Sequence, residues 1–587
     1  MEKIISNKNI RATSLDEFWG KEYPESIYLW EGAKHNLPLQ DIINHPVPTL
    51  HDQFSTGEKI NEAHDYCKKL YYKFIPLLTK KLNEIHSKDF PESFWITIFG
   101  YWLFRHICIT YDKFIALSQI DIDSSSINLL HKKCFYIPDN HVDYLHYFAY
   151  DFGVQQLVSH YYYLFSKTDH PVIKSKFKFQ LGESKPVISL FDRLKKTIKN
   201  IYYTPVQSQS GFDNSQIALC GLFYTSDVKK ELYEKSNGRI KSITPASVNT
   251  DEIKIDFKKR KKLTAIKSEN NYEKYFFETL FYCFPKKLLE QFIPIYKIFH
   301  ADIIKSSYKY IVSEDWMSNL NTSIHSAIAQ KEGKKIILNE HAASQMLFEK
   351  NMMWMEFLAA DKYITTGWKV DESKFIQGSL LSVKIIKYEQ QSQKKNILFI
   401  SHIRLPYLFN YTGHHLANST YVTELKIVED FINLLPARLK NIFQLRVRRS
   451  PYFWDTEKAW QVKEKKIELD EGMFSKSITE SRIVIIDHLS TGFAEILLSG
   501  VPCLVIHEKS LHPISKKYQV IIDRLYDCKV FHDSAQSAMS HLNLIYDNVY
   551  EWWNKQEIQD HLLNLISEMI SDSSDKTTKY LLSYLEE

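Results

Sequence analysis

The residues with the clearest chemical potential lie between two apolar segments near the C-terminus. Ser490, Thr491 and Gly492 follow one short apolar run and begin a helical pattern. A helix that begins directly after a strand presents unpaired N–H groups and a dipole, and both favour an anion. Glu495 falls one helical turn later, within reach of a ribose hydroxyl if the anion is a nucleotide phosphate. The pattern predicts a phosphate site, although Ser-Thr before a helix is equally typical of ordinary N-capping.

Basic side chains are concentrated at the ends of neighbouring predicted strands. The candidates for binding an anion beside this helix are His402, Arg404, Arg446, Arg448, Arg449 and His488. Cations in such positions would neutralise a departing nucleotide and so accelerate its release. Strand alternation puts Arg446 and Arg448 on one face, with Arg449 beyond the strand end. Pairing with surface carboxylates is the alternative, but three arginines within four residues favour a role in binding.

A second group with catalytic potential follows a predicted strand earlier in the chain. Glu340 and His341 come directly after the apolar run 335–339. Either side chain has the chemistry of a general base on an acceptor hydroxyl or of a general acid on a departing phosphate. A histidine after a strand is more often structural, so both interpretations stand. Trp368 has a ring that can stack on a base or sugar, although an aromatic residue there is more often part of the core.

Charged residues also interrupt a strongly apolar helix predicted over 94–114. Arg105, His106 and Asp112 lie on this tryptophan-bearing segment. Because buried charges need partners, the pattern predicts an internal ion pair between Arg105 and Asp112, with acceptor binding as the alternative. The same charges indicate a buried helix rather than a membrane span.

Alternating strands and helices would position both the predicted phosphate site with its basic side chains and the pair Glu340 and His341. Strands are predicted at 308–313, 335–339, 361–366, 396–402, 443–449, 483–487 and 502–507, and helices at 318–331, 421–435, 457–465 and 493–499. This alternation predicts an α/β fold with parallel, doubly wound sheets, whose ligands lie outside the carboxyl ends of the strands. Long amphipathic patterns over 59–86 and 93–117 predict a helical region ahead of the first sheet, whereas 208–262 indicates only mixed structure.

The length of the chain favours two large domains, since 587 residues exceed what one core usually supports. The polar segment 386–395 is interpreted as a linker. This predicts an N-terminal domain, residues 1–385, with a helical region and a Rossmann-like acceptor-binding sheet. Residues 386–587 are predicted to form a Rossmann-like donor domain, and the last helical pattern, 577–585, to fold back across the other domain.

Composition restricts the class of protein further. A net charge of +5 and a pI near 8.4 do not argue for nucleic acid as a partner. The basic run 258–262 predicts a solvated loop, with contact to anionic lipid or an acidic glycan as the alternative. Seven scattered cysteines without a CxxC pair argue against zinc and disulfides and favour a reducing cytoplasm. No apolar leader is present, so we expect a cytoplasmic protein whose membrane contact, if any, is peripheral at the inner membrane.

Several ordered motifs together resemble a family of bacterial transferases from surface-polysaccharide and nonulosonic-acid gene clusters. Proteins of that family are similar to GT-B glycosyltransferases, which have two Rossmann-like domains facing a cleft, and are distant kin of the Kdo and sialic acid transferases. The resemblance runs from about residue 59 to about residue 513. The matching segments are 82–86, 94–114, 313–341, 361–368, 446–454 and 487–502.

The resemblance implies transfer of a sugar from an activated nucleotide, such as a CMP-linked nonulosonate or Kdo, to a glycan or lipid-linked acceptor at the bacterial surface. Ser490 and Thr491 match the motif that holds the CMP phosphate, and His341 matches the histidine of a His-Gly-Gly loop. Here Ala342, Ala343 and Ser344 replace glycines, which restricts positive-φ conformations. We expect a metal-independent enzyme without a cofactor. A UDP- or GDP-sugar transferase, an epimerase of the same fold, and an inactive scaffold protein in glycan assembly remain alternatives.

Overall fold

The structure is a computed structural model that describes most of the chain. The described residues are 5–19, 26–35, 37, 39–44, 49–50, 54, 56–148, 150–175, 215–245, 253–314, 319–402, 405–412, 418–448, 455–571, 573 and 575–586. They contain two parallel sheets of six strands each, one built from residues 217–377 and the other from residues 397–532. The predicted α/β class with two Rossmann-like domains and an N-terminal helical region is therefore confirmed.

The N-terminal region is built around two long helices. Its elements are β1 (Asn9–Arg11), β2 (Ser26–Tyr28), α1 (Leu39–Asn44), α2 (Gly57–His86), α3 (Glu92–Ser118), β3 (Leu129–Leu130), α4 (His141–Phe148), α5 (Asp151–Phe165) and β4 (Val172–Ile173). Helix α2 begins where the Thr56 hydroxyl accepts a hydrogen bond from the Lys59 amide, and it ends at Ser87 in a left-handed conformation. Helix α3 is buried on nearly all sides, which explains why its sequence is apolar all round.

The first sheet lies against this helical region. Its strands and helices are β5 (Ile217–Cys220), α6 (Ser226–Lys235), β6 (Ile240–Ile243), α7 (Phe257–Thr264), α8 (Asn271–Cys283), α9 (Lys286–Leu289), α10 (Phe292–Lys305), β7 (Tyr310–Ser313), α11 (Leu320–Lys331), β8 (Lys335–Asn339), α12 (Met353–Ala359), β9 (Lys362–Thr365) and β10 (Phe375–Gln377). The strand order is β10-β9-β8-β7-β5-β6, so the winding direction reverses between β5 and β7. Helix α3 packs against α2, α11 and α12 and joins the helical region to this sheet.

The second sheet has the strand order of a dinucleotide-binding fold. Its elements are β11 (Ile397–Ile400), α13 (Asn418–Asn433), α14 (Ala437–Lys440), β12 (Phe443–Arg446), α15 (Thr456–Ala459), β13 (Glu468–Leu469), α16 (Phe474–Glu480), β14 (Ile483–Ile486), α17 (Thr491–Ser499), β15 (Cys503–Ile506), α18 (Lys516–Asp527), β16 (Phe531–His532), α19 (Ala535–Ile545), α20 (Val549–Trp553) and α21 (Gln556–Met569). The order β13-β12-β11-β14-β15-β16 reverses between β11 and β14. Ligands of such sheets bind at that reversal, outside the carboxyl ends of the strands.

The C-terminus returns to the first sheet, as the sequence predicts. The Ser571 amide bonds to the Thr366 carbonyl at 2.9 Å, where the chain crosses from α21. The last helix, α22 (Asp575–Ser583), then packs against α6, and Leu581 is buried with the apolar side chains of β5 and β7. Residues 386–395, predicted as a linker, contain no helix or strand.

Two sequence-based predictions about charged segments are wrong. The basic run 258–262 is part of α7 rather than a loop, and Arg260 is fully buried against Glu290. Asp112 pairs with its neighbour Lys113 at 2.6 Å instead of with Arg105. A helix places residues seven apart almost two turns from each other, too far for a direct ion pair. Among the described helices, none combines the length and apolar character that a membrane span requires.

Candidate functional site

The carboxyl ends of the two sheets face one large cavity of about 1050 Å³. Phe223, Glu314 and His341 line it from the first sheet, and His402, Arg448 and His488 line it from the second. These residues follow β5, β7 and β8 in the first sheet and β11, β12 and β14 in the second, which are the strands at the winding reversal of each sheet and one neighbour. The cavity therefore lies where both folds are expected to bind ligands, and its volume suits a nucleotide sugar with part of an acceptor.

Strand register brings the predicted donor-side residues together. Ile400, the last residue of β11, lies opposite Arg446 of β12 and Ile486 of β14, so the three strands end level. His402, Arg448 and His488 consequently extend from adjacent positions on one rim, and the rings of His402 and His488 lie 4.7 Å apart. The structure thus gathers these residues around one crevice.

Asp487, which was not among the predicted site residues, organises this rim. One carboxylate oxygen accepts a hydrogen bond from the His402 amide at 2.8 Å and lies 2.8 Å from His488 Nδ1. The other oxygen accepts from the Ser401 hydroxyl at 2.7 Å. The sequence shows that Asp487 ends a buried strand. It does not show the partners of this carboxylate, because they depend on which strands are neighbours in the sheet.

The start of α17 is N-capped and faces the cavity, and its role as a phosphate site stays a prediction. Ser490 caps the helix, because its hydroxyl oxygen accepts a hydrogen bond from the Gly492 amide at 3.2 Å. The Thr491 amide, also in the first turn, keeps no intrahelical partner. Ser490, Thr491, Gly492 and Glu495 all line the cavity, so the positive end of the helix dipole faces it. Burial raises the pKa of Glu495 to about 7, against the lowering effect of Arg446.

The arginines at the end of β12 differ in their pairing. Arg446 forms an ion pair with Asp470 and donates to the Gly472 carbonyl at 3.0 Å, so the alternative of carboxylate pairing holds for this residue. Arg448 is exposed, lines the cavity and has no carboxylate partner among the described residues. Two further predicted donor residues, Arg404 and Arg449, lie outside the described residues.

On the opposite wall, His341 forms a pair with a carboxylate that was not among the predicted site residues. His341 Nδ1 lies 3.2 Å from Glu314 Oε1, and the other Glu314 oxygen accepts a hydrogen bond from the Phe223 amide at 3.0 Å. The His341 side chain is 51% exposed, whereas that of Glu314 is 1% exposed. A buried acid therefore orients a histidine that substrate can reach. Glu314 directly follows β7, just as Glu340 directly follows β8. This strand-end position was the only feature of the sequence that could have identified Glu314 as a site residue.

Glu340 lies behind this wall and does not line the cavity. One of its carboxylate oxygens accepts hydrogen bonds from the Thr366 amide at 2.8 Å, the Thr366 hydroxyl at 2.9 Å and the Trp368 indole at 2.7 Å. Trp368 is buried in the core, as its more common role predicts. The geometry directs Glu340 toward the core and His341 toward the cleft, so of the two predicted catalytic residues His341 has access to substrate.

The loop after His341 contains a left-handed residue that is not glycine. Ser344 has a φ of 89° and is buried, and it precedes a short 3-10 turn. A non-glycine residue in this region costs about 1–2 kcal/mol. Ala342 lines the cavity, and Ala343 is fully buried. The loop therefore forms a positive-φ turn next to His341 without glycine.

Buried carboxyl groups near His341 predict a specific dependence of stability on pH. Burial raises the pKa of Glu340 to about 7 and that of Glu356, which accepts a hydrogen bond from the Tyr363 hydroxyl, to about 8. The folded protein then holds protons that the unfolded chain releases near pH 4.5, so the free energy of unfolding falls as pH rises through this interval. Between pH 5 and pH 7.5, the free energy of unfolding of Glu356→Gln is therefore expected to fall by about 3 kcal/mol less than that of the wild type.

Urea unfolding at the two pH values measures this effect. Glu372→Gln, which removes an exposed carboxyl group, is the matched control and should retain the full pH dependence of the wild type. An equal fall in Glu356→Gln and wild type would show that Glu356 is ionised in the folded protein.

Outside the cleft, one described cluster has metal-ligand residue types. The ligand atoms of Cys528, Glu557 and His561 lie within 4.8 Å of one another. Glu557 and His561 are one turn apart on α21, and Cys528 follows α18. None of these residues lines the cavity, so the cluster is separate from the candidate site.

Two Rossmann-like domains that share one cleft define the GT-B class, in which the cleft binds an activated donor and an acceptor. The chain belongs to the LIC12162 family of transferases, whose family model matches residues 10–584. No curated protein matches the chain significantly.

Similar solved structures include three proteins of low sequence identity. They are MurG of Acinetobacter baumannii (10% identity, 63% of this chain and 99% of that chain, TM-score 0.32), Medicago truncatula UGT71G1 complexed with UDP-glucose (9%, 64% and 99%, 0.33) and the glycosyltransferase SnogD of Streptomyces nogalater (10%, 63% and 100%, 0.30). Resemblances this remote assign no function, and the fold assignment depends on the strand orders themselves.

Proposed function

We propose that the protein is a glycosyltransferase that moves a sugar from a nucleotide-activated donor to a hydroxyl group of a glycan or lipid-linked acceptor. The observation that carries the proposal is the meeting of two complementary groups in one cavity. A helix start with a nearby cation lies on one wall, and a histidine–carboxylate pair lies on the other. Membership of a transferase family supports the same class of reaction.

The donor side supplies charge stabilisation for the leaving nucleotide. The first-turn amides of α17 and the guanidinium of Arg448 both favour the negative charge that develops when the bond between the sugar and its phosphate breaks. His402 and His488 add donors on the same rim. We assign this role to the protein's own groups, which keeps the expectation that no metal ion is required.

The acceptor side supplies the base. With Nδ1 donating to Glu314, the His341 tautomer leaves Nε2 as the proton acceptor. In the proposed step, Nε2 takes the proton of the acceptor hydroxyl, the oxygen forms a bond to the anomeric carbon, and the electron pair of the breaking bond remains on the phosphate. Glu314 stabilises the imidazolium that forms, as a buried carboxylate does in other histidine-based sites.

The finer identity of the substrates is also part of this proposal. We infer a CMP-linked nonulosonate or Kdo donor, because Ser490 and Thr491 resemble the motif that holds the CMP phosphate in related transferases. The acceptor is then a glycan of the bacterial surface, modified in the cytoplasm or at the inner membrane.

Nucleotide titration tests the donor side. CMP is expected to bind more tightly than UDP or GDP, and Arg448→Gln is expected to weaken CMP binding about 10- to 100-fold, because it removes one charge-assisted contact. Thr491→Ala removes only a neutral hydroxyl and should cost about 2- to 10-fold. Titrations in EDTA also test independence from metal ions.

Arg438→Gln is the matched control for these titrations, since Arg438 lies on the surface and bonds Asp547 and Asn543. Its affinity for CMP should equal that of the wild type. If UDP or GDP binds more tightly, the CMP assignment fails, and if no nucleotide binds, the glycosyltransferase proposal fails with it.

A further inference from the structure

A buried arginine on the N-terminal wall of the cavity belongs to neither the helix start of α17 nor the His341–Glu314 pair. Arg105 lies on α3 and lines the same cavity as His341 and Ser490. The residue is 8% exposed, and its guanidinium lies between two rings, with Cζ 4.0 Å from the centroid of Tyr101 and 3.8 Å from that of Phe409. Phe409 follows β11 of the second sheet, so the guanidinium is held where the two halves of the protein meet.

Arg105 differs from the other buried cations in having no carboxylate partner among the described residues. Lys113 pairs with Asp112 and Arg260 pairs with Glu290. Arg105 Nη2 donates to the Tyr101 hydroxyl, but its Nε has no hydrogen-bond partner in the described part of the chain. Burial lowers the pKa of Arg105 well below its usual value. Aromatic rings offset part of the cost of burying a cation, and a buried charge normally has an opposite charge as well.

A second donor without a partner lines the same cavity. Asn410 follows Phe409 in the chain, is 1% exposed and lines the cavity. Its carbonyl oxygen accepts a hydrogen bond from the Thr412 hydroxyl at 2.9 Å, and its amide nitrogen has no partner among the described residues. A buried donor without an acceptor destabilises the folded protein. Two such donors beside one cavity are complementary to a ligand group that has several acceptor oxygens.

We propose that Arg105 and Asn410 form an oxyanion subsite that binds the carboxylate of an acidic sugar. This inference rests on the proposed function for its sugar substrate, and it names sugar acids as the substrate class. The carboxylate has two sources, an ulosonate carried by the donor or a uronate within the acceptor. Because an Arg–carboxylate pair supplies direction as well as charge, the subsite orients the sugar relative to His341.

Calorimetry with free sugar acids and the full chain tests the subsite. The probes are a 3-deoxy-ulosonic acid, a hexuronic acid and the methyl ester of each. The wild type is expected to bind one acid about 10-fold or more tightly than its ester, and Arg105→Gln is expected to remove that difference. A preference for the ulosonic acid assigns the carboxylate to the donor, and a preference for the hexuronic acid assigns it to the acceptor. Equal binding of acids and esters by the wild type, or an undiminished preference in Arg105→Gln, overturns the subsite.

Two further variants keep the test decisive. Asn410→Asp places a negative charge beside the subsite and is expected to weaken binding of the same acid about 10-fold, which gives an independent readout if Arg105→Gln does not fold. Arg438→Gln is the surface control and should retain the full preference for the acid.

Nucleotide titration of the same proteins separates this inference from the proposed function. If the wild type prefers the acid but binds no nucleotide, the proposed function fails and the subsite stands. If it binds nucleotide but does not distinguish acid from ester, the subsite fails and the proposed function stands.

Discussion

His341→Ala is expected to lower the rate of sugar transfer by about 100- to 10,000-fold, the range over which a positioned general base usually contributes. The affinity for nucleotide should stay unchanged, because His341 lies on the wall of the cavity opposite α17. Initial rates of transfer, and of donor hydrolysis where the acceptor is unknown, measure the effect. A normal rate in His341→Ala would remove the histidine from the mechanism.

Glu314→Gln tests the partner of this histidine. The amide cannot stabilise an imidazolium, so we expect a loss of about 10- to 100-fold in kcat with little change in KM for the acceptor. His300→Gln is a matched control, because His300 forms a similar pair with Glu332 at 3.2 Å and does not line the cavity. An effect of His300→Gln equal to that of His341→Ala would point to destabilisation rather than catalysis. A protein without any transfer or hydrolysis that depends on His341 would instead fit the scaffold alternative.

The second sheet was largely predictable from the sequence, and the first only in part. Strands such as β14 and β15 are fully buried runs of four apolar residues on either side of a helix, which is a strong pattern for a parallel sheet. Strand β6 lies at the edge of its sheet and is only partly buried, so its sequence alternates weakly and its position within 208–262 was not recognised.

The sequence predicted those residues of the candidate site that directly follow a strand. Ser490, His341 and His402 each follow a recognisable strand, and the parallel arrangement brings such positions to the same edge of a sheet. The pairings of Glu314 and Asp487 were not predictable, because they depend on strand order and register. The same holds for Arg105, whose aromatic neighbour Phe409 comes from the other half of the chain.

The basic run 258–262 shows that composition alone does not predict which residue of a segment is buried. Its composition is that of a solvated segment, and four of its five residues are exposed or partly exposed lysines. Arg260 alone turns inward because the helical period of α7 directs one residue in three or four toward the core. There it forms two hydrogen bonds of 2.8 Å with Glu290 and bonds the carbonyls of Phe281 and Phe284 at 2.8 Å and 3.1 Å.

Arg260→Met is therefore expected to destabilise the protein by about 3–5 kcal/mol, because it leaves the carboxylate of Glu290 buried without a partner. Lys261→Gln, the adjacent exposed position on the same helix, should change the free energy of unfolding by less than about 0.5 kcal/mol. Adding Glu290→Met to Arg260→Met should recover much of the loss, since an apolar pair needs no compensating charge. Urea unfolding curves of the four proteins measure these differences. If Arg260→Met is as stable as Lys261→Gln, the guanidinium contributes nothing inside the fold, and the basic run behaves as the solvated surface that its composition suggests.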